Sequence, residues 1–270
     1  MSPNLEISRE GRVLRLTINR PDKRNAINLE LCEALVEAVE WAEHDPTVGA
    51  ILIDAKGKAF CSGMDLDEAL ELRGSGAGLQ LHERLFTLGA RMRKPIVAAV
   101  NGPALAGGTG LVANAHVAIA AQGSQFGLTE IRIGMWPYVV MRAVASAVGH
   151  RRALEMSLTG RVFGTQEAMV YGLIHEVAPS FELEDRAMAV ATNLASFSMD
   201  VVRRGMYFDH ASERLSSSEA GQLAIELRLQ NFESADFAEG VAALKEKRRP
   251  EWPSMRGEVP EPDEVPQPLD

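Results

Sequence analysis

The chain has 270 residues, of which 46% are hydrophobic and 24% are charged, and its formal net charge at pH 7 is −9. This composition fits one large globular domain, or a domain with an appendage, and it excludes fibrous and collagen-like classes. Nucleic-acid binding normally needs a basic patch, so the acidic balance argues against it. No apolar run approaches the roughly 20 residues that cross a bilayer, and no membrane span is expected.

The cysteine count and the first residues predict a location. Two cysteines, Cys32 and Cys61, cannot build a disulfide framework. The opening segment MSPNLEISREGRVLRLTI lacks the apolar core of a signal peptide. We therefore predict a protein of the reducing cytoplasm.

The first half of the chain alternates predicted strands and helices. Apolar and polar residues alternate across residues 5–18, which predicts a hairpin of edge strands. Asn28 is a candidate N-cap for a helix from Leu29 to about His44 that packs on a sheet. Val48 to Asp54 is a predicted buried strand that leads into a glycine loop.

A second unit of strand, glycine loop and helix follows. Residues 65–93 have a helical pattern that a glycine-rich insert at 74–78 interrupts, which predicts a helix from Leu79 to Arg93. The β-branched run from Ile96 to Val100 predicts a buried strand, and residues 106–110 form a glycine-dense entry into a short helix. Another short strand is predicted from His116 to Ala121.

The second half of the chain is predicted to be almost wholly helical. The predicted amphipathic helices are Tyr138–Val148, Arg151–Leu158, Thr165–Tyr171, Leu183–Phe197, Ser198–Phe208, Glu219–Asn231 and Phe237–Arg249. This order predicts an α/β core over residues 1–197 and a helical region over 198–250. Residues 251–270 are rich in proline and acidic residues and are predicted to be a mobile tail.

The glycine-dense loop at residues 106–110 is a candidate for chemistry. The first N–H groups of a helix lack intrahelical partners, and glycine lets a substrate atom come close to the backbone. Such a loop is often only a tight connection, so a second site has to support the catalytic interpretation.

Several ordered motifs together resemble the crotonase family, the enoyl-CoA hydratase and isomerase group. They include FCSGMDL, NGPALAGGTG and FGLTEIRIG, and the similarity extends from NRPDKRNAIN through GRVFGTQEAMVYGLIHEV to FAEGVAALKEKRRP. The resemblance implies a spiral of ββα units followed by a helical region used in trimer formation, with trimers often paired into hexamers.

The resemblance also implies which residues act. The backbone amides of Met64 and Gly107 are expected to form an oxyanion hole for a thioester carbonyl, and Glu130 is expected to be the acid–base group. The expected contacts to coenzyme A, which enters as part of the substrate and not as a cofactor, are Arg24, Ala26, Ser62, Asp65, Leu66 and Lys247. We expect no metal, because the six histidines show no ligand spacing.

One departure from the family pattern bears on the reaction. Hydratases of the family carry a second glutamate three residues after the oxyanion glycine, where this chain has Gly110. One carboxylate suffices to move a double bond, and bulky residues at 138–141 are expected to narrow the pocket and exclude water. We therefore expect a 3-enoyl-CoA to 2-enoyl-CoA isomerase. A 2-enoyl-CoA hydratase and a non-catalytic CoA-binding member are the alternatives.

Overall fold

A computed structural model describes residues 2–74, 76 and 78–255. The strands in these ranges are β1 (Leu5–Glu10), β2 (Val13–Ile18), β3 (Ala50–Ala55), β4 (Ile96–Val100), β5 (Ala104–Leu105), β6 (Val117–Ala121), β7 (Gln125–Gly127), β8 (Phe163–Gly164) and β9 (Glu176–Ala178). The helices are α1 (Leu29–His44), α2 (Leu66–Glu71), α3 (Leu79–Phe86), α4 (Gly107–Asn114), α5 (Tyr138–Val148), α6 (His150–Thr159), α7 (Thr165–Tyr171), α8 (Leu183–Ala195), α9 (Met199–Ser212), α10 (Ser217–Glu233) and α11 (Ala235–Glu246).

The strands form two sheets. The larger has the order β1-β2-β3-β4-β6-β9, and all its neighbours are parallel except β1 and β2, which form an antiparallel hairpin. The predicted hairpin is confirmed. Of its two strands, only β1 lies at an edge of the sheet, because β2 also pairs with β3. The smaller sheet has the order β5-β7-β8.

Helices cover both faces of the larger sheet. Alternate strand residues such as Leu16, Ile51 and Val100 pack in one apolar cluster with α1, α4 and α5. Their neighbours, such as Leu52 and Val97, pack in a second cluster with α8. Parallel strands that are buried on both faces read as continuous apolar runs, which is why β3 and β4 could be predicted from sequence.

Helix α1 begins and ends as its sequence predicts. The Asn28 side chain accepts a hydrogen bond from the Leu31 N–H at 3.1 Å, which satisfies one of the free amides of the first turn. At the C-terminal end of α1, the buried Lys94 amine donates to the carbonyl oxygens of Ala42, at 2.5 Å, and of Asp45. Desolvation by burial lowers the pKa of Lys94 to about 8.

The prediction of one helix from Leu79 to Arg93 is wrong, since α3 ends at Phe86. Beyond it, Gly89 lies so close to α4 that a Cβ atom there would be 2.1 Å from the Asn114 carbonyl oxygen. The Asn114 side chain also accepts from the Gly89 N–H at 3.2 Å. Packing against α4 therefore ends α3 early, a tertiary effect that helical periodicity does not report.

The α/β core followed by helices is confirmed, but the prediction of a mobile tail from residue 251 is wrong for its first residues. The Trp252 indole N–H donates to the Ser196 carbonyl at 2.7 Å, and the Ser254 N–H donates to Asp236 at 2.9 Å. Residues 253–255 form a short 3₁₀ helix. The rest of the predicted tail, 256–270, lies outside the described residues, and the division at residue 197 stays a prediction.

Within the described ranges, no helix is both long and apolar enough to span a bilayer.

Candidate functional site

The two glycine loops lie side by side and are joined by backbone hydrogen bonds. The Leu105 N–H donates to the Cys61 carbonyl at 2.9 Å, and the Cys61 N–H donates to Pro103 at 3.2 Å. A Cβ atom on Gly108 would lie 2.1 Å from the Cys61 oxygen, so only glycine allows this approach. The two loops, remote in sequence, therefore form one unit.

Each loop presents one free backbone donor. In the part of the chain that the structure describes, neither the Met64 N–H nor the Gly107 N–H donates to a protein group. Gly107 is the first residue of α4, where no intrahelical acceptor exists and the helix dipole adds partial positive charge. The two amides are adjacent, because a Cβ atom on Gly63 would lie 3.3 Å from the Gly107 nitrogen.

The residue before Gly107 holds a strained conformation. Ala106 has a φ of 51° and a ψ of −119°, values that a non-glycine residue adopts at a cost of about 1–3 kcal/mol. The Ala106 N–H donates to the Gly127 carbonyl at 2.8 Å, and the buried Thr109 hydroxyl lies 2.7 Å from the Ala104 carbonyl. These contacts fix the turn that aims the Gly107 N–H.

Glu130 provides the carboxylate of the site. It follows β7 and begins a short 3₁₀ helix, Glu130–Ile133. Burial raises the pKa of Glu130 above its ordinary value, although a hydrogen bond from its own backbone N–H opposes the rise. Its Oε2 atom is buried and has no hydrogen-bond partner among the described residues. A carboxyl group in this state is suited to proton transfer.

An apolar cavity of about 330 Å³ joins these groups. Met64, Gly107 and Glu130 line it together, as the resemblance implied. Its other walls include the large side chains of Phe86 and Trp136.

Position 110 has no room for a side chain. A Cβ atom on Gly110 would lie 2.5 Å from Val140 Cγ1 and 3.0 Å from Phe86 Cδ1. Val140 is buried and lines the cavity with Tyr138 and Val139. Three of the four side chains expected to narrow the pocket therefore line it, whereas Met141 does not and lies beside the Ser157 hydroxyl. Val140 occupies the space beside Gly110.

Five of the residues predicted to contact coenzyme A lie in two segments that pair with each other. The Ser62 N–H donates to the Arg24 carbonyl at 3.1 Å, and Ile27 and Met64 form a parallel bridge. This pairing brings Arg24, Ala26, Ser62, Asp65 and Leu66 to one place. Ser62 and Leu66 line the cavity, whereas Arg24 is exposed.

The Asp65 side chain is occupied by an ion pair. It accepts from Arg20 Nη2 at 2.9 Å. Burial is the largest single influence on Asp65 and alone would raise its pKa. The hydrogen bonds from Arg20 and the Glu68 N–H, together with the charges of Arg20 and Lys23, outweigh burial, and the pKa is lowered. The carboxylate therefore fixes the loop, and a contact to coenzyme A would have to come from its backbone.

Lys247 lies elsewhere. It is exposed, follows the last turn of α11 and is not among the residues that line the cavity. Its contact with coenzyme A stays a prediction.

Two other titratable side chains have structural roles. His116 accepts from the Ile96 N–H at 2.9 Å through Nδ1, and its Nε2 lies 3.1 Å from the Gly89 carbonyl. Burial raises the pKa of the Cys61 thiol to about 12, so it is no nucleophile at neutral pH. Among the described residues, no cluster of three or more His, Cys, Asp or Glu could hold a metal ion.

His82 is a site residue that was not predicted from the sequence. It lines the cavity from α3, on the face that also carries Leu79 and Phe86. Its Nε2 atom is buried without a partner in the described chain, and burial lowers its pKa. The available signal was the helical spacing of residues 79, 82 and 86 in LQLHERLF.

The arrangement defines a class of protein. Two free amides, an apolar cavity and a buried carboxyl group can bind a carbonyl compound, stabilise negative charge on its oxygen and move a proton on a neighbouring carbon.

Comparison with known proteins identifies the family. Residues 8–255 match the family model described as enoyl-CoA hydratase/isomerase, and the chain belongs to this family of acyl-CoA enzymes. It is 34% identical to a probable enoyl-CoA hydratase of Mycobacterium tuberculosis, over 91% of this chain and 96% of the relative. It is 32% identical to a zebrafish (Danio rerio) protein named enoyl-CoA hydratase domain-containing protein 3, mitochondrial, over 90% and 85% of the two chains.

Solved structures agree with this assignment. A crystal structure of an enoyl-CoA hydratase from Mycobacterium smegmatis superimposes with a TM-score of 0.86 at 30% identity, covering 93% of this chain and 99% of that one. The human enoyl-CoA hydratase domain-containing protein 3 gives a TM-score of 0.87 at 29% identity, covering 92% and 100%. The predicted crotonase-like fold is confirmed.

Proposed function

We propose that the protein is an acyl-CoA isomerase that converts 3-enoyl-CoA to 2-enoyl-CoA. The observation that carries this proposal is the pairing of Glu130, whose Oε2 faces no protein partner in the described chain, with the two free amides across one cavity. Val140 fills the space beside Gly110, so a second carboxylate at that position has no place.

The reaction needs only these groups. The Met64 and Gly107 amides hydrogen-bond the thioester oxygen and stabilise the negative charge of an enolate. The ionised Glu130 removes a proton from C2, and the electrons of the C2–H bond enter the enolate. The protonated Glu130 then returns this proton to C4, which restores its carboxylate. No cofactor takes part, because coenzyme A is carried by the substrate.

Charge and position suggest which residues would contact the CoA portion of the substrate. Arg24 is exposed beside the loop that carries Ser62 and can meet a phosphate. Ala26, Asp65 and Leu66 would contact the rest of the nucleotide through this paired segment. Lys247 would reach the phosphates of a CoA bound to a neighbouring copy.

The proposed assembly is a homotrimer or a pair of trimers. Large apolar side chains are exposed on α10 and α11 in the single chain, among them Ile225, Leu229 and Leu244. Exposed apolar area of this kind marks an interaction surface. Light scattering on the purified protein tests the proposal, with an expected mass three or six times that of one chain. We further propose a cytoplasmic location.

A second candidate is hydration of 2-enoyl-CoA, which the printed names of the relatives favour. Both reactions use the oxyanion hole and Glu130. They differ because hydration also needs a group that activates water, and position 110 supplies none.

The deciding experiment offers the enzyme 3-hexenoyl-CoA and 2-hexenoyl-CoA in separate assays. We expect the double bond of the first to move, with slow or absent water addition to the second. Glu130→Gln should lower isomerase turnover by about 10²-fold or more. The matched control is Glu37→Gln, which neutralises an exposed carboxylate on α1, away from the cavity, and should leave turnover unchanged.

Other results would change the assignment. Faster hydration than isomerisation would favour the hydratase. Binding of both thioesters without turnover would favour a non-catalytic CoA-binding protein.

A further inference from the structure

His82 is a polar side chain in an otherwise apolar part of the cavity. It lines the cavity between Leu79 and Phe86, and its Nε2 atom is buried without a hydrogen-bond partner in the described residues. A buried polar atom without a partner is costly, so such an atom in a ligand cavity points to a ligand group that pairs with it. The isomerase mechanism uses Glu130 and leaves His82 without a task.

The position of His82 on α3 gives its distance from the reacting end of the cavity. Phe86 lies at the reacting end of the cavity, since a Cβ atom on Gly107 would be 3.1 Å from its ring. His82 precedes Phe86 by four residues, slightly more than one helical turn, or about 6 Å along the axis of α3. With an acyl chain that runs along α3 away from Phe86, the imidazole would lie several bonds beyond the thioester carbonyl.

The charge state of His82 limits the chemistry of that group. Desolvation lowers its pKa below the ordinary value of 6.5, and this effect outweighs the opposing charge of Glu68. The ring is therefore neutral at pH 7 and does not favour an acyl chain that ends in a carboxylate. A hydroxyl group both donates and accepts, so it pairs with either tautomer of a neutral imidazole.

We infer that His82 selects acyl-CoA substrates that carry a hydroxyl group on the chain beyond the reacting carbons. The inference rests on the proposed function only in taking the cavity to hold the acyl part of a CoA thioester. A plain hydrocarbon chain would bury Nε2 without a partner, whereas the hydroxylated chain would satisfy it.

Binding of saturated thioesters tests the inference without depending on turnover. Calorimetry would compare hexanoyl-CoA with its 5- and 6-hydroxy derivatives, whose hydroxyl groups lie beyond the reacting carbons C2 to C4. We expect at least one hydroxy isomer to bind the wild type about tenfold more tightly than hexanoyl-CoA. His82→Phe should remove this preference, and His82→Gln, which keeps a polar group at similar reach, should retain part of it.

Two controls accompany the measurement. His150→Gln replaces an exposed histidine on α6 that does not line the cavity, and it should keep the full preference. His82→Leu provides a smaller apolar replacement, and thermal unfolding of each variant shows that it is folded.

Three results would overturn the inference. Equal binding of hexanoyl-CoA and both hydroxy isomers would remove its basis, as would a preference that survives in both His82→Phe and His82→Leu. Loss of turnover of plain 3-hexenoyl-CoA in these two variants would make His82 a proton-transfer group instead. If no thioester binds, hexanoyl-CoA included, both the proposed function and the inference about His82 are wrong.

Discussion

Val140 occupies the space that a side chain at Gly110 would need, with its Cγ1 atom 2.5 Å from the position of a Cβ on that glycine. Val140 belongs to α5 and Gly110 to α4, and the two helices pack together beside the cavity. The identity of residue 110 is therefore coupled to that of residue 140.

Gly110→Ala should lower the free energy of unfolding by about 1–3 kcal/mol, because the added methyl group overpacks against Val140 and Phe86. In the Val140→Ala background the same change should cost less, with a coupling of about 1 kcal/mol. Denaturant unfolding of the double-mutant cycle measures this. Gly205→Ala is the matched control, since a Cβ atom there meets nothing within 4 Å in α9 and the change should stabilise. Additive effects of the two substitutions would contradict the coupling.

The raised pKa of Glu130 predicts how stability depends on pH. Because the folded-state pKa lies above the unfolded value near 4.5, the stability that Glu130 contributes is fully present below pH 4.5 and is lost as pH rises through the folded pKa. Glu130→Gln should therefore melt close to the wild type at pH 4.5 and above it at pH 8. Calorimetric melting across this range tests the sign. A difference that does not change with pH would show that burial does not raise the pKa.

The same ionisation should appear in the kinetics. If Glu130 acts as a base, kcat/KM rises as it ionises, and the acidic limb of the profile lies above pH 4.5. A limb at or below that value would contradict the role of a buried base.

Ala106→Gly should separate stability from activity. Glycine relieves the strain of a φ of 51° but adds freedom to the unfolded chain, and the net gain in the free energy of unfolding should be about 1 kcal/mol. Turnover should fall, because the Gly107 N–H is then less firmly aimed. Denaturant unfolding and kcat, measured on the same preparation, check both parts. Ala104→Gly, in buried β5, is the contrasting variant and should destabilise.

Trp252 should stabilise the C-terminal helices. Its ring would lie 3.2 Å from a Cβ atom on Gly240, and its indole N–H donates to Ser196. Trp252→Ala should lower the free energy of unfolding by about 2 kcal/mol, and Trp252→Phe, which keeps most of the ring contact, by less than about 1 kcal/mol. Equal stability of both variants and the wild type would mean that residues 251–255 contribute nothing.

The sequence predicted the elements whose signals are local. Asn28 and the apolar spacing after it define α1, and continuous apolar runs define β3 and β4. The end of α3 depends on the contact between Gly89 and Asn114, which lie 25 residues apart. Strands of two or three residues, such as β8 and β9, are too short to show a period.

The candidate site was partly predictable for the same reason. The glycine loop at residues 106–110 has a local signal for backbone donors, and the resemblance to the crotonase family assigned the two donors to Met64 and Gly107. His82 looks like any helical histidine until the cavity that it lines is known. The ion pair between Asp65 and Arg20 spans 45 residues and has no local signature.

The hydrogen bonds between the loops at Cys61 and Leu105 make the spacing of the two amide donors a property of the main chain. Replacement of the side chain at Met64 would leave the donor in place, since any residue but proline supplies the same N–H. The pair of amide donors that binds the carbonyl oxygen can thus stay constant while residues 82, 130 and 140 change. A small number of substitutions in these walls would redirect the enzyme to another acyl group or another proton transfer without rebuilding the part that stabilises the charge.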